Sequence, residues 1–193
     1  MKKIILSALV VFSFISTNAQ DVKYGAKVGI NIANQKFEGS GITLTANSIV
    51  GVQVGGFAEV NLNEKFAIQP EVLFSTEGSE LKAEGEEVTF NLSYINVPVM
   101  LKFYPAPKFN LQAGPQVGLL VAAKGKYQGV KEDIKDGYKT ANFGLNLGAA
   151  YEFTEKCFVD ARYNFGLSNI MDNTEDGTKN KGVVLSLAVG YKF

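Results

Sequence analysis

In the stretch Tyr24-Gly-Ala-Lys-Val-Gly-Ile-Asn-Ile32, apolar side chains alternate with glycine or polar ones. Successive side chains of an extended strand point to opposite faces, so a period of two predicts a β-strand with one apolar and one polar face. The same pattern recurs in seven further segments, at 50–60, 66–74, 88–103, 109–121, 143–153, 159–167 and 183–193. The sequence therefore predicts an all-β chain of eight strands.

In the segment 88–103, apolar residues occupy positions of both parities, even-numbered positions first and odd-numbered positions later. Phe90, Leu92 and Tyr94 share one parity, whereas the later set, from Ile95 to Phe103, has the other. A phase change of one residue within a strand is typical of a β-bulge, which we expect between Tyr94 and Asn96.

The connections between the predicted strands alternate in length. Tight turns are expected at 61–65, 104–108 and 154–156, and longer polar loops at 34–47, 75–87, 124–140 and 171–182. An even strand number, with short turns on one side and long loops on the other, is typical of bacterial outer-membrane barrels. We expect an eight-stranded antiparallel up-and-down transmembrane β-barrel in the outer membrane of a Gram-negative cell, crossing it many times, with both termini periplasmic.

A soluble carrier barrel of the lipocalin kind has the same alternation, with its apolar face turned inward. Glycine decides between the two, because four strands repeat a column of glycine, polar residue and glycine, at 25–29, 51–55, 114–118 and 144–148. Small residues beside a few long polar ones suit the narrow interior of an eight-stranded barrel. The apolar columns end in aromatic residues that we expect in two interfacial girdles: Tyr24, Phe66, Phe74, Phe103, Phe109, Phe153 and Tyr191.

The N-terminal segment is predicted to be a signal peptide at residues 1–19, followed by the barrel domain at 20–193. Lys2 and Lys3 precede an apolar run of about a dozen residues, and small residues at Thr17 and Ala19 favour cleavage before Gln20. The apolar run is shorter than the roughly 20 residues that a membrane-spanning helix needs.

Composition argues against most catalytic chemistry. The chain of 193 residues has 19 basic and 19 acidic residues, a single cysteine and no histidine. An internal disulfide, a Cys/His zinc site and a histidine-based catalytic relay are therefore excluded. We expect no catalytic residue, cofactor site or metal site, and the balanced charge does not indicate a nucleic-acid partner. A membrane-embedded hydrolase or acyltransferase would need unusual catalysis.

Charged residues on the inward parity form the strongest candidate cluster. These residues are Lys23, Lys27, Glu59, Glu71, Lys102, Glu152, Asp160, Arg162 and Lys192. Because unpaired charges are costly in a narrow, poorly hydrated interior, we expect a lumen charge network of Lys27, Glu71, Lys102, Asp160 and Arg162. Counted from their turns, Glu71, Asp160 and Arg162 lie at similar heights, so Arg162 should pair with at least one of these carboxylates. A packed plug and a gate built from rearranging ion pairs both remain open.

Weaker motifs lie in the predicted loops. The pattern from Asp172 to Gly177 is similar to the start of a calcium-binding loop, but its twelfth position is Val183 instead of glutamate. Tyr127 and Tyr138 bracket the charged loop 124–140, which is a candidate recognition surface. Cys157 is expected on the outward parity near the periplasmic interface.

Several stretches resemble the PorT-like outer-membrane β-barrel family, and in size the chain is similar to the small OmpX- and OmpA-type barrels. The matching stretches are Gly25 to Asn31, Gln69 to Ser75, Tyr94 to Tyr104, Gly114-Pro115 and Gly190 to Phe193. The alternating Leu187, Val189, Tyr191 and Phe193 look like the C-terminal signal that barrel-assembly machinery reads. The resemblance implies fold and location, whereas a role in secretion belongs to particular members.

Together these features predict a non-enzymatic integral outer-membrane barrel with a packed polar lumen and four long external loops, for surface interaction or envelope structure. The alternative is an accessory factor in protein secretion or outer-membrane biogenesis. Expected partners are outer-membrane lipid, lipopolysaccharide and, during biogenesis, the barrel-assembly machinery. A protein or ligand contacted through the loops stays open.

Overall fold

The computed structural model describes residues 22–39, 42–83, 86–172 and 179–193. The predicted signal peptide and most of the calcium-loop pattern at 172–177 lie outside these ranges.

The described chain is almost entirely β-strand. Its ten strands are β1 (Val22–Gly39), β2 (Ile42–Thr45), β3 (Ile49–Asn61), β4 (Phe66–Ala83), β5 (Glu86–Ala106), β6 (Phe109–Tyr127), β7 (Val130–Asp133), β8 (Ala141–Glu152), β9 (Cys157–Gly166) and β10 (Lys179–Lys192). A single turn of 3-10 helix spans Lys135–Gly137. Within the described ranges, no helix has the length and apolarity needed to cross a membrane.

Eight of the strands form a closed antiparallel ring, which confirms the predicted barrel. The order is β1, β3, β4, β5, β6, β8, β9 and β10, and β10 pairs with β1 to close the ring. The end of the barrel opposite the short turns is called its outer end. There, β2 and β7 pair only with the outer ends of β1 and β6. Stepping from each residue to its partner on the next strand, once around the ring, leads from Val22 of β1 back to Ile32 of the same strand, ten residues further along. The residues on this path are Val22, Val60, Ile68, Leu101, Ala113, Leu147, Tyr163, Leu185 and Ile32. This stagger makes the strands tilt, typically by about 35–45°.

The outer connections differ from the predicted loops. β4 and β5 have 18 and 21 residues and stay paired almost to their tip, and β7 folds back on β6 as a hairpin. About 9–11 tilted residues suffice to cross a membrane, so these strands continue well beyond the hydrocarbon layer. Three of the predicted loops are thus largely hairpin extensions of the barrel wall.

The two faces of the wall have the polarity of a membrane barrel. Outward side chains such as Val189 and Leu145 are 56% and 39% exposed, whereas Lys27 and Glu71 on the inner face are 3% and 2% exposed. An apolar exterior around a polar interior excludes the lipocalin-like arrangement. Of the seven aromatic residues predicted for the girdles, six are exposed on the outer surface, and Phe109 is half-buried.

A bulge is present near the predicted position, but it lies in the neighbouring strand. Ser93 pairs with Ala122 and Tyr94 with Leu120, so the extra residue is Val121 in β6. β5 keeps a single parity, and the phase change inferred there was wrong. Leu92 and Tyr94, both 2% exposed, face inward because the outer end of the lumen is apolar.

Candidate functional site

The inner face of the barrel is a stack of side-chain layers, and glycine makes room for the largest of them. In β8, Gly148 lies beside Arg162, and a Cβ there would come within 2.8 Å of the Arg162 Cγ atom and 2.5 Å of the Ala161 carbonyl oxygen. Other glycines of the Gly-polar-Gly columns make room for different groups: a Cβ at Gly25 would meet the Phe57 ring, and one at Gly55 would meet the Val72 carbonyl oxygen.

Four side chains from β1, β4 and β9 form the central cluster, defined as Lys27, Glu71, Asp160 and Arg162. Arg162 donates two hydrogen bonds to Glu71, at 2.9 and 2.7 Å, and its Nη2 atom lies 2.8 Å from Asp160. Lys27 Nζ lies 2.9 Å from Glu71 and 3.1 Å from Asp160. Two positive and two negative groups thus neutralise each other, as a buried position requires. Arg162 pairs with both carboxylates at its level.

Lys102 makes its ion pair outside the central cluster. It lies in the turn-side cluster, defined as Glu59, Lys102, Tyr104, Glu152 and Lys192. Lys102 pairs with Glu59, and Lys192 lies 2.7 Å from Glu59 and 2.9 Å from Glu152. The Tyr104 hydroxyl donates a hydrogen bond of 3.0 Å to Glu152. The charged residues of the lumen are thus arranged in two ion-paired clusters at different heights.

Gln69 links the two clusters. Its Nε2 atom donates to Glu71 at 2.6 Å, and its Oε1 atom accepts from Lys102 at 3.0 Å.

Two aromatic side chains also lie in the lumen. The inward rings of Phe57 and Phe158 meet edge to face, with their centroids 5.5 Å apart. Sequence analysis missed these two aromatics as lumen residues, although their parity matches that of Glu59 and Asp160.

A layer of polar side chains, uncharged apart from the acidic residue Glu77, lies on the outer side of the central cluster. Asn31 Nδ2 donates to the Ser75 hydroxyl at 2.8 Å, and Glu77 accepts from Ser75 at 2.9 Å and from Asn96 at 2.8 Å. The residual cavity among these side chains measures about 20 Å³. A space of this size holds no more than a water molecule or so.

The outer end of the lumen is closed by the apolar cap, defined as Leu92, Tyr94, Leu120, Ala123 and Ile170. The segments that contain Lys139 and Ile170 are joined at the cap, because the Lys139 amide donates a hydrogen bond of 2.8 Å to the Ile170 carbonyl oxygen. This contact holds the cap in place. Ile134 and Tyr138 pack against it, and burial raises the pKa of Tyr138, although a hydrogen bond with Gln35 opposes this shift. Of the two tyrosines of the candidate recognition loop, Tyr138 thus packs against the cap and Tyr127 is exposed.

The turn-side end of the lumen is open. A cavity of about 420 Å³ enters the barrel there, lined by Glu59, Tyr104, Glu152 and Lys192 of the turn-side cluster together with Lys23, Asn61, Asn63 and Glu64. Within residues 22–39, 42–83, 86–172 and 179–193, no group of three or more His, Cys, Asp or Glu side chains is placed to bind a metal ion. The described side chains of this interior make ion pairs and hydrogen bonds with one another.

The remaining predicted residues lie on the outer surface. Leu187, Val189, Tyr191 and Phe193 project outward from β10, and the Phe193 amide donates to the Tyr24 carbonyl at 2.9 Å, on the strand that closes the ring. Cys157 is a free, exposed thiol at the start of β9.

Comparison with known proteins gives one family and a set of similar folds. The family described as outer membrane protein beta-barrel domain matches residues 18–172. Neisserial surface protein A has a TM-score of 0.61 at 17% identity, with 90% of this chain and 100% of that chain covered. Ail of Yersinia pestis has a TM-score of 0.51 at 15% identity, over 90% of this chain and 99% of that one.

A major outer membrane protein from Thermus thermophilus has a TM-score of 0.50 at 13% identity, over 89% and 99% of the two chains. At these identities the likeness concerns the fold alone. No curated protein matches the chain significantly in sequence.

Proposed function

Because this chain belongs to the family of outer membrane protein β-barrel domains, we propose that it is a non-enzymatic barrel for envelope structure and surface contact. In this proposal residues 1–19 are the signal peptide, both termini face the periplasm, and the outer hairpins meet lipopolysaccharide or external partners. The observation that carries the proposal is that side chains fill the lumen beyond its open turn-side mouth: two ion-paired clusters, a polar layer and the apolar cap occupy it.

The filled lumen supports the packed-plug interpretation over an ion gate. An open aqueous channel accompanies roughly sixteen strands, whereas eight strands leave an interior that side chains fill. We expect purified protein to show no steady conductance in planar bilayers. A steady conductance that is lost on replacing Arg162 would overturn the plug and favour the gate.

The hairpin of β6 and β7 is the proposed contact for lipopolysaccharide. Ala123 belongs to the apolar cap and points inward, so Lys124 and Lys126 point to the opposite, outward side. Lys126 lies directly across from Lys131 of β7. Like charges in opposite positions destabilise a strand pair unless an anion lies between them. A phosphate group of lipopolysaccharide supplies that anion. Replacing Lys126 and Lys131 with glutamine should weaken binding of purified lipopolysaccharide, whereas Lys65→Gln in the β3–β4 turn should not.

The finer assignments rest on the sequence motifs. The outward column Leu187, Val189, Tyr191 and Phe193 is proposed as the signal for the barrel-assembly machinery. A PorT-like role in secretion is the alternative function. A deletion strain separates the two functions, because normal secretion with an altered cell surface supports the leading proposal, and a secretion defect supports the alternative.

A further inference from the structure

The apolar outer surface of the barrel has a groove on its turn side. The groove runs between β1 and β10, reaches the β8–β9 turn and has a volume of about 470 Å³. Lys27, Phe158 and Gly190, which belong to the inward parity, line part of it. The outward side chains that line it, besides Cys157, are Ala26, Val28, Val54, Phe153, Val189 and Tyr191. All of them are apolar or aromatic, and they lie within the belt that faces the hydrocarbon layer.

The groove exists because the wall is thin at this point. Ala26 pairs with Gly56, and both belong to the outward parity, so the outer surface has almost no side-chain volume there. On the inner surface the neighbouring positions are Gly25 and Gly190, where a Cβ would overlap the rings of Phe57 and Phe158. These rings fill the inner side, and none of the described side chains fills the outer side.

The ammonium group of Lys156 lies at the polar end of the groove. Lys156, in the turn that precedes Cys157, has its Nζ atom 5.7 Å from the centroid of the Tyr191 ring. Tyr191 and Cys157 both line the groove. An apolar channel that ends at an ammonium group matches an acyl chain attached to a phosphate.

We propose that this groove is a binding site for one glycerophospholipid of the turn-side leaflet, with an acyl chain lying over Ala26 and the headgroup phosphate at Lys156. The inference rests on the proposed function, because it requires that the chain be embedded in the membrane with its short turns at the phospholipid leaflet. Because lipid tails are as apolar as the groove, close packing of the acyl chain against its walls supplies most of the affinity. The exposed ion pair adds little free energy and fixes the orientation.

Native mass spectrometry of the refolded full barrel tests the site with 1-palmitoyl-2-oleoyl-phosphatidylglycerol as the probe. We expect one retained lipid for the wild type. Ala26→Leu fills the groove and should lower this occupancy by more than about tenfold. Lys156→Gln should lower it by about two- to fivefold, and Lys65→Gln, in a turn away from the groove, should leave it unchanged.

The free thiol gives a second test that needs no variant. Alkylation of the folded protein at Cys157 with a bulky maleimide should block retention of the lipid, whereas the small methylthio group should preserve it. Unchanged occupancy after Ala26→Leu, or after bulky alkylation, would overturn the site. A folded barrel that fractionates with outer membranes but retains no lipid overturns this inference alone, whereas failure to enter the membrane overturns the proposed function as well.

Discussion

At the residue scale, the central cluster shows how charge is accommodated in a narrow lumen. Each of its four side chains contacts two partners of opposite charge, and all have side chains no more than 5% exposed. Removing one partner of a buried ion pair leaves an uncompensated charge, which costs more free energy than the pair contributes. The cluster is therefore sensitive to single replacements.

Glu71→Gln should lower the free energy of unfolding by about 3–5 kcal/mol. Lys27 and Arg162 would then share Asp160 as their carboxylate within the central cluster. Urea titration of the refolded barrel, followed by the mobility of unboiled samples on gels, measures the change. Glu155→Gln, at an exposed position of the β8–β9 turn, is the matched control and should stay within about 0.5 kcal/mol of the wild type. A loss below about 1 kcal/mol for Glu71→Gln would show that the cluster tolerates an unpaired charge.

Two neighbouring glycines should respond in opposite ways to replacement by alanine. A Cβ at Gly25 would overlap the Phe57 ring and the Tyr191 carbonyl oxygen, whereas a Cβ at Gly56 would have its nearest neighbour at 3.5 Å. We expect Gly25→Ala to cost about 1–3 kcal/mol through overpacking and Gly56→Ala to be close to neutral. The same urea titration compares them, and equal midpoints would contradict the inner packing described above.

Strand parity predicts from the sequence which residues point inward, and it placed the charged residues on the correct face. Parity does not give height along the barrel axis, because height depends on the stagger between strands. For this reason parity alone did not show that the ion-pair partner of Lys102 is Glu59. Phe57 and Phe158 were missed because an inward aromatic residue has no polar signature, although their parity was available.

At the element scale, the outer hairpins and the apolar cap are the features that sequence patterns describe least well. Polar, charged segments such as 75–87 have the composition of loops, yet cross-strand pairing carries β4 and β5 onward as strands. Pairing of this kind depends on the partner strand, which local composition does not encode. The same limit explains why the bulge was assigned to β5 although the extra residue lies in β6.

The cap should loosen at high pH. Burial raises the pKa of Tyr138 above its ordinary value of 10.0. The folded cap therefore favours the neutral phenol, so its stabilisation is complete below about pH 10 and is lost as the pH rises further. We expect cleavage of the outer segments by proteinase K to accelerate above that pH. Tyr138→Phe should remove this acceleration, and an identical pH profile in the variant would argue against the assignment.

At the scale of the whole molecule, closure of the ring depends on the pairing of β1 with β10. This pairing extends from Gly25 and Lys192 to Glu38 and Lys179, so the two ends of the barrel domain must meet before the lumen can fill. The number of barrel strands and the apolar exterior were predictable from the period of two alone. The stagger of ten residues was not predictable from this period, since it follows from the sum of all eight strand registers.

Phe193→Ala should slow assembly while leaving the finished barrel intact. The replacement keeps the backbone hydrogen bond from residue 193 to Tyr24 and removes only the outward ring. We expect less heat-modifiable protein in outer membranes shortly after induction, with normal unfolding of the protein that has assembled. Phe143→Ala removes an outward ring from β8 and serves as the control. Equal assembly rates for the two variants would count against a C-terminal signal.

The length of β6 gives the hairpin at its end an unusual position. Its 19 residues, at about 3.3 Å each and tilted by about 40°, rise some 45–50 Å, against an apolar band of about 25 Å. The tip at Gln128 and Gly129, where both residues have positive φ angles of 47° and 85°, therefore stands far above the lipid. In the proposed orientation, with the short turns at the periplasm, a foreign peptide grafted between them would lie outside the cell, accessible to antibodies, and would leave the strand registers of the barrel unchanged.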